Sequence, residues 1–277
     1  MRWRRLTGNR LSFAALCGIL VVVAAALLAP WVAPHDPDET DAEATLSSVS
    51  LRHPLGTDIY GRDQLSRLIH AARVDLLVAL SATAIALTLG STLGALAGYR
   101  GGWVDHLLMR AVDAVMAFPA FILAMGITAA LGNSTANVVA AIAITHVPIY
   151  TRLIRGEMLR VRETEYAEAA RTVGNRPRQV MLVHLFPNCV PPLIVQATLA
   201  MGFAVLTVAA LSFIGLGIQP PQSEWGQMTA EGAGYVVSGE WWLVLFPGLA
   251  IMATVLAFNL LGDTLRDVLD PRMRGVR

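Results

Sequence analysis

Residues 76–99 read LLVALSATAIALTLGSTLGALAGY, an unbroken uncharged stretch with glycines at 90, 94 and 98. A helix needs about 20 apolar residues to cross the hydrocarbon core of a bilayer, so this segment decides between a membrane and a soluble fold. Further uncharged runs lie at 11–34, 114–151, 179–223 and 241–262. The 114–151 run is long enough for two helices and is interrupted by GNSTAN at 132–137. The sum is six crossings. Composition agrees: 55% of residues are hydrophobic and 15% charged, against roughly 25% charged in soluble domains. The sequence predicts an all-α polytopic membrane protein with six transmembrane helices and excludes a large soluble protein with buried helices.

All 21 basic residues are arginine. Arg2, Arg4, Arg5 and Arg10 precede the first span, which places the N-terminus in the cytoplasm by the positive-inside rule. Six crossings then put the 99–110 turn, the 152–186 loop and the C-terminal tail inside. Segments 35–73, 132–136 and 217–240 fall outside. On that topology seventeen arginines lie inside and four, Arg52, Arg62, Arg67 and Arg73, outside. The basic start and apolar run are reminiscent of a signal peptide. The run is too long, however, and Pro30 and Pro34 occupy the place of a cleavage site, so an uncleaved first helix is expected. The arginine pair in RWRRLTG lacks the rest of a twin-arginine signal. Cys17 and Cys189 fall on different helices at different depths, so no structural disulfide is expected.

The expected spans are about 11–32, 74–99, 104–131, 135–153, 190–217 and 241–264. Gly90, Gly94 and Gly98 share one face of the second, which favours close packing of a neighbouring helix over a moving contact. Pro119 is expected to bend the third span. That span opens with Asp105, Arg110 and Asp113, and Arg110 and Asp113, three apart, can meet on one face. Both a functional pair and a plain interfacial pair fit this placement. His146, in the fourth span, reads as a hydrogen-bonded packing residue rather than a proton relay.

Residues 152–186 hold seven Arg and four Glu. Burying half of them at mid-membrane would cost on the order of 15 kcal/mol, so the segment belongs in water on the inner side. It reads as two helices. The first runs to Val173 and stops at Gly174, which suits the left-handed position after a helix. Asn175 is placed to cap the second and Pro177 fits its first turn. The second, 179 to about 186, is apolar enough to lie on the membrane surface before Pro187 redirects the chain. Ala167, Ala170 and Val173 share a face of small residues that a partner can approach closely, flanked by Arg171, Arg176 and Arg178. A merely solvated loop is the bland alternative, but it needs neither the alanine face nor the Gly–Pro frame.

EAARTVG (168–174) followed by Pro187 resembles the signature loop of permeases of ATP-binding cassette (ABC) importers, through Glu168, Ala169, Ala170, Gly174 and Pro187. The family's usual Ile and Leu before that proline fall on His184 and Phe186. HPLGTDIYGRDQLSRLI (53–69), LSFIGLGIQPPQSEWGQM (211–228) and FNLLGDTLRDVLDPR (258–272) look like the C-type permease of the dipeptide/oligopeptide/nickel branch.

The resemblance implies a type I importer fold in three parts. These are a tail, first helix and outer segment (1–73), a permease domain (74–264, coupling loop 152–188) and a cytoplasmic tail (265–277). It implies a coupling helix seated in a groove on a cytoplasmic ATPase, with Ala167, Glu168, Ala169, Ala170, Arg171, Gly174 and Pro187 as the docking positions. Its partners would be a second homologous permease, two ABC ATPase subunits or domains, an extracytoplasmic substrate-binding protein and the bilayer, with no nucleic acid. The setting would be a bacterial plasma membrane, multi-pass, with both termini cytoplasmic. The outer segments HPLGTDIYGRD (53–63) and QPPQSEWGQMTAEGAGYV (219–236) are candidates for contact with the binding protein, with ordered loops as the alternative.

A P-loop needs a lysine and the chain has none, so ATP is expected on partner subunits and the chain is not itself an enzyme. No catalytic residues, cofactor or metal are expected, since no Cys/His group has structural-zinc spacing. A secondary transporter would need broken helices and ionisable residues at mid-membrane in both halves. Only His146 comes close. A scaffold without transport leaves the loop unexplained. Peptide is the commonest cargo of the branch, with nickel, glutathione and other small solutes as alternatives.

Overall fold

The computed structural model describes residues 10–269. The basic cluster Arg2, Arg4 and Arg5 and the tail from residue 270 on, with Arg272, lie outside the described residues. The first helix, α1, covers Arg10–Val32. Next, α2 covers Gln64–Arg100, ten residues earlier than the expected start at 74. The residues before 74 are charged, which hid them from a hydropathy reading, but Asp63 caps the helix by accepting from the Ser66 N–H at 2.8 Å. After Gly101, which takes a positive φ of 65°, the chain forms α3 (Gly102–Met116) and α4 (Ala120–Leu131). These meet at 85°, so the expected bend at Pro119 is a full break, with Pro119 at the N-cap of α4.

The helix α5, Thr135–Arg162, also continues well past its expected end at 153. Then follow α6 (Glu165–Thr172) and α7 (Pro177–Phe213). After α8 (Trp225–Ala233), α9 (Trp242–Leu269) completes the described fold. The redirection expected at Pro187 does not occur. Instead the start of α7 widens into π-helical turns at Val180–Leu185, where the Phe186 N–H donates to Met181 O, five residues back. A proline ring clashes with the carbonyl of residue i−4 and lacks an N–H. The wider turns just ahead of Pro187 absorb that conflict and the helix runs on.

Two ends define the molecule. Residues 33–63 and 214–241 form a cap at one end, where the Trp242 indole N–H donates to Thr57 O at 3.2 Å and Arg62 reaches Glu231. At the other, Arg162 Nη1 donates to Gly98 O at 2.9 Å, so the end of α5 lies beside the end of α2. The bent α3–α4 pair starts at this loop end and returns to the cap, where Asn133 Nδ2 donates to Gly215 O at 3.0 Å. Five helices are long and apolar enough to cross a membrane, and the bent pair supplies a sixth. With that pair counted as one broken span, the described residues make six passes.

The glycine face of α2 is used inside the chain. A Cβ on Gly90 would fall 2.6 Å from Tyr150 Cβ, and one on Gly98 2.8 Å from Met158 Cβ, so α5 lies directly on it. Close backbone approach of this kind drives helix association where lipid removes the hydrophobic drive. The expected Arg110–Asp113 pair is not formed. Asp113 pairs with Arg152 on α5 at 2.6 Å, and Asp105 binds Arg155 with two bonds, one at 2.6 Å. The crossing of α5 over α3 brings an arginine to each carboxylate, and these cross-helix pairs form in place of the one within α3. Both Arg152 and Asp113 are about half exposed, with side-chain values of 48% and 50%. Arg152→Ala is therefore expected to cost only about 0.2–1 kcal/mol, read as a small shift in thermal midpoint in detergent. A loss several times larger would mean the pair is shielded from water.

His146 donates from Nδ1 to Ile142 O at 2.8 Å, a packing residue as expected. The two cysteines are free, Cys189 buried and Cys17 partly so.

Candidate functional site

At the loop end, α6 lies between the ends of α5 and α7. Thr164 precedes it as N-cap, and its first turn carries Glu165 and Glu168 at the positive pole of the helix dipole. The Arg171 guanidinium donates back to Arg162 O at 3.1 Å, satisfying a carbonyl at the end of α5. Gly174 follows with φ +89°, the left-handed conformation that ends the helix. Pro177 stands in the first turn of α7, as its fixed φ favours.

The small face is turned the other way from the expectation. Ala167 and Ala170 are buried, at 0% and 9% exposure, in the same cluster as Val161, Val180 and Leu185. Their small side chains let α6 sit close on its own chain, while Val173 is 82% exposed at the tip. The outward edge carries Glu165, Tyr166, Glu168, Ala169, Arg171 and Thr172. Pro187 is exposed near the start of the straight part of α7. Asn175 does not cap α7. Its Nδ2 donates to Ala170 O at 2.9 Å and so closes α6, because Gly174 turns the chain back over that carbonyl.

At the opposite end, of the segments singled out as contact candidates, 53–63 is mostly the inside of the cap, while 219–236 is buried at Ser223–Met228 and largely exposed at both ends. Asp58, Arg62, Asp63, Gln64 and Arg67 are all buried. Arg67 Nη1 meets Asp58 Oδ2 at 2.6 Å and Glu231 Oε2 at 2.9 Å, while Arg62 Nε meets the same Asp58 oxygen at 2.6 Å. Two guanidinium and two carboxylate groups thus balance in one network that ties α2 to α8. Glu224 starts α8 by accepting from the Gly226 and Gln227 N–H groups at 2.8 and 2.7 Å. Burial pushes its carboxyl above the ordinary range, against the pull of those N–H groups. Tyr60 and Arg52 are exposed and remain available for contact from outside the chain.

The cap also gathers His35, His53 and Asp63, which no spacing rule connects. Sequence reasoning missed this group and the Arg–carboxylate network. The one available signal was the density of charge in TDIYGRDQLSR beside an apolar helix.

Six passes, a cap at one end and a short, capped helix at the other make a helical membrane-spanning domain. A family model described as "Binding-protein-dependent transport system inner membrane component" matches residues 90–275. The chain belongs to that family. A second, "N-terminal TM domain of oligopeptide transport permease C", matches residues 1–52. The chain is similar to the di/tripeptide transport system permease protein DppC of Pseudomonas aeruginosa, 45% identical over 98% of this chain and 91% of that protein. It is 43% identical to the probable D,D-dipeptide transport system permease protein DdpC of Escherichia coli K12, over 98% and 90%. It is 39% identical to the glutathione transport system permease protein GsiD of Pectobacterium atrosepticum, over 98% and 90%. It is thus a multi-pass inner-membrane transport subunit.

Proposed function

We propose that this chain forms half of the pathway of an ATP-driven importer for di- or oligopeptides. Its working partners would be a second, homologous permease, two ABC ATPase subunits or domains, and an extracytoplasmic binding protein. ATP would be bound by the ATPases, since the chain has no lysine for a P-loop. The loop end would face the cytoplasm with both termini, in line with its seven arginines between 152 and 178. The cap would then meet the binding protein.

The observation that carries the docking part is the outward edge of α6. Glu168, Ala169 and Arg171 are exposed, while Ala167 and Ala170 fasten the helix to α5 and α7. A helix held on its inner face and open on its outer face passes a displacement from a bound partner into the spans. Glu168 offers that partner a charge, Ala169 allows close approach, and Ala170 acts through packing rather than contact. Pro187 would serve from within α7, at the point where the π-helical turns give way to its straight part.

Peptide as cargo rests on the relatives whose names carry dipeptide transport, with glutathione second because the GsiD proteins are nearly as similar. The test is reconstitution in proteoliposomes with the ATPases, second permease and binding protein retained in a mild-detergent pull-down. ATP-dependent uptake of a labelled dipeptide is the expected result. Uptake of glutathione or nickel with no dipeptide uptake would overturn the cargo. Isolation of the chain without any ATPase would overturn the coupling reading.

A further inference from the structure

We propose that His35, His53 and Asp63 form a binding site for a divalent first-row cation, with zinc the best match, at the cap end of the protein. The site lies apart from the docking helix and does not depend on the cargo. It joins three separate pieces of chain: the stretch just after α1, the middle of the cap, and the N-cap of α2. His53 Nδ1 lies 2.9 Å and His35 Nδ1 3.7 Å from the same oxygen, Asp63 Oδ1. Zinc held tetrahedrally at 2.0–2.1 Å places neighbouring ligand atoms about 3.3 Å apart, and the two distances straddle that value. The imidazole rings face each other with centroids 5.0 Å apart and a 30° tilt, leaving room for an ion between their edges and the carboxylate.

The surrounding bonds hold the ligands ready. Asp63 Oδ2 is taken by the Ser66 N–H and hydroxyl, both at 2.8 Å, which leaves Oδ1 turned to the histidines. The His35 backbone N–H donates to Ser66 Oγ at 3.0 Å, so its ring is fixed to the first turn of α2. The His53 N–H donates to Ser50 Oγ at 3.1 Å. Partners of this kind orient first ligands in metal sites.

The independent pointer to a ligand is unmet polar capacity. His35 Nδ1, one of the three ligand atoms, is buried without a hydrogen-bond partner. The His53 side chain is only 8% exposed and that of Asp63 1%. Buried ring nitrogens are normally satisfied, and an orphan calls for an explanation. A cavity of about 70 Å³ opens on the group and is also lined by Glu39 and Asp41, whose carboxylates add negative charge. Arg52 lines it too, but its guanidinium is directed to Asp41 at 3.6 Å.

On binding, His53 changes tautomer: Nδ1 releases the proton that it now donates to Asp63 while Nε2 takes one up from solvent, so the ring stays neutral and the freed Nδ1 lone pair goes to the metal. Two imidazoles and one carboxylate leave a fourth position for water or Glu39. Such a donor set suits zinc, and nickel or cobalt more weakly in preference than in geometry. The ion would staple the exit of α1 to the entry of α2.

The test uses the full chain without a polyhistidine tag, in lipid nanodiscs, stripped with a chelator and titrated with zinc chloride against a chromophoric zinc indicator. One zinc per chain is expected, bound at least tenfold more tightly than by His35→Ala. Zinc should also raise the thermal midpoint of the wild type and not that of the variant. His35 is chosen because its side chain is 31% exposed, whereas Asp63 starts a helix. If the variant fails to fold, zinc-edge X-ray absorption of the wild type decides, with two imidazole nitrogens expected in the first shell. No stoichiometric zinc, equal affinity in the variant, or a shell without two imidazoles overturns the site.

Discussion

Arg67→Ala is expected to collapse the cap. The Arg67 side chain is 1% exposed and touches Asp58, Glu231 and Ser223. Removing it leaves the buried Asp58 and the partly exposed Glu231, at 3% and 20% side-chain exposure, with one guanidinium between them. Breaking a buried pair by deleting one partner costs roughly 3–5 kcal/mol, because the remaining charge has lost its compensation. That is a large part of the 5–15 kcal/mol that holds a typical domain together. The expected readout is a fall of many degrees in thermal midpoint in detergent, with fast proteolysis at residues 33–63. Arg67→Lys should not rescue it, since a point charge cannot bridge two carboxylates and a serine as the planar fork does. Arg52→Ala, on the exposed rim at 73% side-chain exposure, is the control and should change little. An Arg67→Ala chain as stable as wild type would mean the network is structurally idle.

Gly174→Val is expected to leave the fold intact and to cut coupled uptake at least tenfold. A Cβ at position 174 would meet nothing within 4 Å, so no clash arises. The penalty is conformational. At φ +89° a side chain costs on the order of 1–2 kcal/mol, and a β-branched one more. The chain can relieve that strain only by re-aiming the turn between α6 and α7, which moves the docking edge relative to the spans. The measurement is ATP-driven uptake in proteoliposomes beside the ATPase rate of the same preparation. Hydrolysis should persist while uptake falls. Gly174→Asn should keep most of the uptake, because asparagine tolerates the left-handed region. Normal uptake by the valine variant would sink the coupling reading.

The passes, the close glycine contact of α2, the turn at Gly174 and the first-turn role of Pro177 were legible because each is local. An uncharged run, a four-residue glycine spacing and a Gly–Pro frame carry their meaning within one helix. The misses share a cause as well. Where α2 begins, which face of α6 is buried and which arginine Asp113 meets all depend on neighbours far along the chain. Ala167 and Ala170 read equally well as an open or a closed face, and only the position of Val180 and Leu185 decides. The charges of 58–67 did not show themselves as an internal network because their partners, Glu231 and Ser223, lie more than 150 residues away. Asn175 had a carbonyl behind it and an amide ahead, and the turn geometry chose the carbonyl.

One feature of α5 bears on how the two ends of the protein communicate. It runs without a break from Thr135, whose hydroxyl reaches Gln222 in the cap, to Arg162, which grips Gly98 and accepts from Arg171. At 1.5 Å per residue its 28 residues make a rod about 42 Å long. Its natural weak point, Pro148, is where Val147 and Tyr150 press against the bare backbone of Gly90, so the joint is splinted. A splinted rod cannot absorb a push by buckling. Turned by about 5°, a rod of that length carries its far end through roughly 4 Å, more than the width of a water molecule. Under the proposed coupling, a small nudge at α6 would arrive beneath the cap as a displacement of that size.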